Sequence, residues 1–158
     1  MSTTFEINET HLQPLLELIA QLDLNDPKNA RDQLNTQYPL THELIGNIKT
    51  AMLAGVENKT MCHKGEAPVQ FSRAFKANPE NFNISADAVL MSAPGPKHKH
   101  PQGEIDLCFT LDGEPTFDGQ PEGWVVYGPN SKHIPTVKNG TMLILYLLPT
   151  GAIEFVTE

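Results

Sequence analysis

The sequence predicts an α+β chain that is mainly β, a short N-terminal helical segment followed by a small antiparallel β-barrel. Two observations carry this. Apolar residues recur at three-and-four spacing over the first third. From about Met61 the pattern changes to period two, and strong turn dipeptides follow at short intervals.

The helices come first. Leu12, Leu15, Leu16, Ile19 and Leu22 make one apolar stripe on a helix from about Thr10 to Leu22. Asp26-Pro27 offers a cap and a proline at the first helical position, opening a second helix to about Gln37, and Pro39 ends it. Thr41 can cap a third, with Leu44, Ile45, Ile48, Ala51 and Met52 on its buried face and Gly55 as its stop. Strands are expected at Val69–Lys76, Ser85–Met91, Glu104–Leu111, Trp124–Tyr127, His133–Val137, Thr141–Leu148 and Ala152–Val156. Turns fall at Asn78-Pro79, Asp112-Gly113, Asp118-Gly119 and Asn139-Gly140, the last reading as a two-residue hairpin turn. No internal repeat or flexible linker interrupts the chain. The expectation is one domain over residues 1–158, helical over 1–58 and barrel over 59–158.

Composition narrows the function. A net charge of −8 without a basic stripe argues against nucleic acid as a partner. No apolar run has the length of a membrane span; the longest, Met142 to Leu148, reads as a buried strand. The first residues lack the pattern of a signal peptide, and Cys62 and Cys108 make no disulfide framework. A cytoplasmic protein with free thiols is expected, and pairing of two copies through an edge strand would cover an exposed edge.

His98-Lys99-His100 carries the chemistry. Alternate residues of a strand point to one side, so the two imidazoles can aim at one point. Glu104 follows the turn-prone Pro101-Gln102-Gly103 and can bring a carboxylate there, and His133 can arrive from a later strand. Three imidazoles and one carboxylate suit a first-row divalent metal: Fe, Mn, Ni, Zn or Co. As a bare pair in the polar run Lys97 to His100, His98 and His100 would read as a solvated loop; Glu104 and His133 are what make them ligands.

Pro94 to Glu104, then Gly128-Pro129-Asn130-Ser131-Lys132-His133, resembles the two metal-binding motifs of the cupin superfamily. Two departures stand out: the glycine usual after the first motif is displaced to Gly113, and Asn130 stands where the second motif usually has glycine. Pro68 to Arg73, His98 to Phe109, and Gly123 to Tyr127 ahead of His133 more closely resemble the 4-hydroxylaminobenzoate lyase family. That resemblance implies a cupin-like barrel behind a helical segment. It also implies conversion of 4-hydroxylaminobenzoate, a small aromatic carboxylate, to 3,4-dihydroxybenzoate with release of ammonia.

Other residues join the site by parity. Asp106 and Cys108 share the side of Glu104, which makes Asp106, with Glu104, a candidate catalytic group; a structural carboxylate orienting a ligand histidine is the alternative. Cys108 reads as a buried apolar residue rather than a nucleophile. Arg73, on an apolar strand face with Val69, Phe71 and Phe75, can grip a substrate carboxylate or form an internal salt bridge. Trp124, Tyr127 and Tyr146 can line a pocket for a flat substrate, with core packing expected for at least two of the three. The competing readings are a small-ligand binding or sensing module of the same fold, and an oxygenase or isomerase with another substrate.

Overall fold

The computed structural model describes residues 5–151 and 153–155. Three helices, α1 (Gln13–Gln21), α2 (Pro27–Gln37) and α3 (Glu43–Glu57), precede nine strands. These are β1 (Lys64–Glu66), β2 (Val69–Phe75), β3 (Ile84–Met91), β4 (His98–His100), β5 (Glu104–Phe117), β6 (Gly123–Tyr127), β7 (Ser131–His133), β8 (Val137–Pro149) and β9 (Glu154–Phe155). A six-stranded sheet has the order β1-β2-β3-β8-β5-β6 and a three-stranded sheet the order β7-β4-β9, with every pairing antiparallel.

α1 starts at Gln13 without a side-chain cap, whereas α2 and α3 start at capping side chains. Asp26 accepts from the Asn29 N–H at 3.2 Å, with Pro27 opening α2. The cap of α3 is His42 rather than Thr41: its Nδ1 accepts from the Leu44 N–H at 3.0 Å. Gly55 does not stop this helix. It lies on the buried face against Met61, and α3 continues to Glu57.

Period two divides the large sheet cleanly. On β5, Ile105, Leu107 and Phe109 pack with the helical residues Leu15, Leu16, Ile45 and Met52, while Cys108 turns the other way. On β8, Leu143, Leu145 and Leu147 face the helices, and Met142, Ile144, Tyr146 and Leu148 face the barrel interior. The helical segment therefore closes one face of the sheet and leaves the other to the site. Each fully buried Leu, Ile or Phe contributes roughly 1.5–3 kcal/mol.

The turn dipeptides sort differently from the sequence expectation. Asp118-Gly119 forms the two-residue hairpin turn, both residues at positive φ (50° and 82°), closed by Phe117 N–H to Gln120 O and Gln120 N–H to Phe117 O, each 2.8 Å. Asn139-Gly140 is no turn. It sits inside β8, where Gly140 faces Gly113 of β5 and the register shifts on either side of that pair. A Cβ on Gly140 would lie 2.1 Å from the Asp112 carbonyl oxygen, so glycine is required by the close approach of two irregular strands. Asp112-Gly113 likewise lies within β5, which runs on to Phe117 instead of ending near Leu111. The expected strand His133–Val137 is split: Pro135 has no N–H for a ladder, and β7 ends before it while β8 begins after it. The last strand is shorter than expected, and Ala152 and Val156 lie outside the described residues.

Candidate metal centre

β4 places His98 and His100 on one side, their ring centroids 4.3 Å apart. β7 pairs with β4 so that His133 lies opposite His98. After Pro101 and Gln102 the chain turns through Gly103 at φ 95°, where a Cβ would lie 3.0 Å from the Tyr127 carbonyl oxygen, and Glu104 begins β5. Asn130, in the place usually held by glycine, adopts the left-handed conformation itself, at φ 65°, and its N–H donates to the His100 carbonyl at 2.9 Å.

The four side chains meet. Glu104 Oε1 lies 3.2 Å from His98 Nε2 and 2.9 Å from His133 Nε2, and also contacts His100 Nε2. One donor atom from each residue lies within 4.8 Å of all the others. His98, His100 and Glu104 are buried, with His133 at the edge. His98 Nε2 and His133 Nε2 are 3.0 Å apart, and a single hydrogen there leaves the other lone pairs facing one another. A cation at the centre satisfies all four at once, so the donor set fits a divalent transition metal.

Charge is arranged around this point. Burial opposes ionisation of Glu104, yet the neighbouring Asp106 and the three histidines around its carboxylate hold it well below the usual carboxylate range. Asp106, two residues along the same strand face, is pushed well above the usual aspartate range by burial and then by the Glu104 charge, which favours its protonated form. Burial disfavours the charged form of His133, but the Asp118 and Glu104 carboxylates outweigh it and bring the imidazole up to about 9.

Beside the centre lies a cavity of about 350 Å³, mostly apolar, with Val69, Val89, Met91, Tyr146 and His98 among its walls. Arg73 and Asp87 also line it, paired through Nε–Oδ1 at 2.7 Å and Nη2–Oδ2 at 3.2 Å. The internal salt bridge is thus formed, and it occupies one edge of the guanidinium. Register places Val125, Asp106, Tyr146, Asp87 and Arg73 in one row across five strands of the large sheet.

Two aromatic residues fall elsewhere. Trp124 points away from the cavity, into the core between sheet and helices, where its indole N–H donates to the Tyr38 carbonyl at 2.8 Å. Tyr127 is not on the cavity wall: its ring stacks on His133 at 4.2 Å and its hydroxyl donates to Asp118. Asp106 faces the interior as parity requires, fully buried beneath the ligands rather than on the cavity wall. Sequence reasoning missed Asp87 and Asp118. Parity with Val89 could have found the first; the second reads locally as a turn residue.

A family model described as 4-hydroxylaminobenzoate lyase matches residues 11–155. The chain belongs to that family. Relatives that carry the family's name include one from Pseudomonas putida, 28% identical over 145 residues (80% of this chain, 82% of that one). Another, from Nocardioides sp. (strain LMS-CY), is 33% identical over 133 residues, covering 77% and 78%. Among solved structures it is similar to an RmlC-like cupin protein from Ralstonia eutropha JMP134, with 14% identity, 59% and 62% coverage and TM-score 0.43. It is also similar to the DMSP lyase DddQ from Ruegeria pomeroyi DSS-3, with 17% identity, 94% and 98% coverage and TM-score 0.47. Among the described residues, no helix is long and apolar enough to cross a membrane.

Proposed function

We propose that this protein is a metal-dependent lyase that converts 4-hydroxylaminobenzoate and water to 3,4-dihydroxybenzoate and ammonia. The observation that carries the reading is the His98–His100–Glu104–His133 cluster beside an apolar cavity within the family's matched residues. The reaction balances without an outside oxidant: the N–O bond is reduced as the ring gains a hydroxyl, and water replaces nitrogen at the ring carbon.

His98, His100, Glu104 and His133 would hold the metal, which when bound supplies Lewis acidity toward the hydroxylamino group or a water. Met91, Val89 and Val69 make walls for a flat ring. Tyr146 stands on the cavity wall between Asp106 and Asp87 in the row, so its phenol can orient the substrate. Arg73, steadied by Asp87 through Nε and Nη2, keeps its remaining N–H groups for the substrate carboxylate. Asp106 retains a proton beside Glu104 and is the assigned acid–base group. The exposed β1 edge allows two copies to pair, and nothing in the charge pattern asks for nucleic acid or a membrane surface.

The test is metal analysis of the freshly purified protein alongside incubation with 4-hydroxylaminobenzoate. Stoichiometric transition metal and release of one ammonia per 3,4-dihydroxybenzoate are expected, both abolished in His100→Ala. Full turnover by metal-free protein, or a ligand returned unchanged, would end the reading.

A further inference from the structure

Asp118 lies outside the four ligands, at the first position of the β5–β6 turn, and three donors converge on its carboxylate. His133 Nδ1 lies 2.7 Å from Oδ2, and the Tyr127 hydroxyl donates to the same oxygen over 2.5 Å. The Thr136 backbone N–H donates to Oδ1 at 2.8 Å, and the Asp118 N–H returns a bond to the Thr136 carbonyl at 2.8 Å. The turn and the segment entering β8 are thereby tied in both directions. Tyr127 then covers one face of the His133 ring, stacked at 29°.

We infer that Asp118 is a positioning residue for the metal centre, acting through His133. A carboxylate accepts but cannot donate, so it selects the tautomer with hydrogen on Nδ1. That tautomer leaves the Nε2 lone pair aimed at the point shared with Glu104 Oε1, 2.9 Å away. By contrast, His100 Nδ1 has no hydrogen-bond partner among the described residues. The fold thus places a half-buried carboxylate, held by the Thr136 N–H, behind the one ligand that sits at the edge of the cluster. This inference rests on the metal reading above.

Substitution separates this role from a merely structural one. Asp118→Asn keeps the volume and an oxygen for the Thr136 N–H, but it turns an N–H toward His133 Nδ1 and so favours the tautomer that cannot ligate through Nε2. Co(II) affinity of the metal-stripped protein would be measured by chelator competition, with the visible spectrum of the bound ion recorded. Asp118→Asn and Asp118→Ala are each expected to weaken Co(II) by about 10–100-fold and to change the spectrum. In the His133→Ala background, Asp118→Asn is expected to shift the residual affinity by less than about threefold, because the coupling passes through the missing ring. Wild-type affinity in Asp118→Asn, or an equal loss in both backgrounds, would overturn the inference. If Asp118→Ala fails to fold, Asp118→Asn decides alone. Failure of the wild-type protein to bind Co(II) would instead overturn the metal reading.

Discussion

His98 and His133 are register partners across the β4–β7 ladder, and their Nε2 atoms meet 3.0 Å apart over Glu104 Oε1. Directly opposed residues on antiparallel strands hold their Cβ atoms about 4.5–5.5 Å apart, so the ladder itself sets the spacing of two ligands. A ligand pair built into backbone pairing is preorganised, and metal binding should act as a stabilising linkage on the whole barrel.

Removing one member should therefore cancel that linkage. A ligand at a hundred times its dissociation constant stabilises the native state by about 2.7 kcal/mol. In a chain of this size that raises Tm by roughly 5–10 °C. Co(II) added to metal-stripped protein should produce such a rise, and His98→Ala should reduce it to near zero. Scanning calorimetry with and without Co(II) checks this; an undiminished rise in the variant would place the metal elsewhere.

Asp106→Asn should separate chemistry from metal binding. Asparagine keeps the volume of Asp106 and is neutral beside Glu104, so the ligand set should stay filled. If Asp106 moves a proton in the reaction, kcat should fall by about 10²–10⁴-fold with metal content unchanged. Stability should move the other way. The folded pKa of Asp106 lies above its unfolded value, so its contribution is complete below the ordinary aspartate range and is lost as pH rises through the folded value. Asparagine does not ionise, and the variant should gain on the wild type from about pH 4 upward. Denaturant melts across that range read the difference.

Arg73→Met tests the carboxylate grip. The Arg73 side chain is 41% exposed, so its pair with Asp87 should contribute no more than about 1 kcal/mol to folding. Binding should suffer far more, because Asp87 would be left as an unpaired negative charge on the cavity wall. KM for 4-hydroxylaminobenzoate should rise by about tenfold or more, while that for its uncharged carboxamide analogue should not. Equal KM changes for both would remove Arg73 from substrate recognition.

Trp124→Phe should behave as a core substitution. The indole is 1% exposed, packed with the helices, and its N–H holds the Tyr38 carbonyl. Losing that bond and part of the ring should cost about 1–3 kcal/mol by urea unfolding. KM should stay within about twofold, since the side chain faces away from the cavity.

The expected pocket role of Trp124 shows where sequence reading stopped. Trp124 and Tyr127 are three apart on one strand and must face opposite sides, so parity alone forbade both lining one cavity. The His98–Glu104 segment was legible because strand parity and the Pro101–Gly103 turn are local properties. Asn139-Gly140 and Asp118-Gly119 were not separable in the same way. Both dipeptides accept positive φ, and which one reverses the chain depends on how far β5 and β8 pair, a contact made across the sheet. Asp118 was hidden for the same reason: its partners Tyr127, His133 and Thr136 come from beyond the turn it makes.

The thiols supply a pH-dependent check on the fold. Cys62 is 4% exposed and burial pushes its thiol up to about 12, while burial and then Asp106 and Glu104 raise Cys108. At pH 8 only on the order of 10⁻⁴ of Cys62 is thiolate, against roughly a tenth for a cysteine at its unfolded value. A chromogenic disulfide reagent should therefore react with neither thiol until urea unfolds the chain. The folded state prefers the neutral thiol, so the contribution of Cys62 is complete below its unfolded pKa near 9 and is lost as pH rises toward 12. Stability should decline across that alkaline window, and Cys62→Ala should flatten part of the decline because the ionisable group is gone. Rapid labelling of native protein at pH 8, or an unchanged alkaline slope in Cys62→Ala, would mean that Cys62 reaches solvent from the seam between the helices and β2.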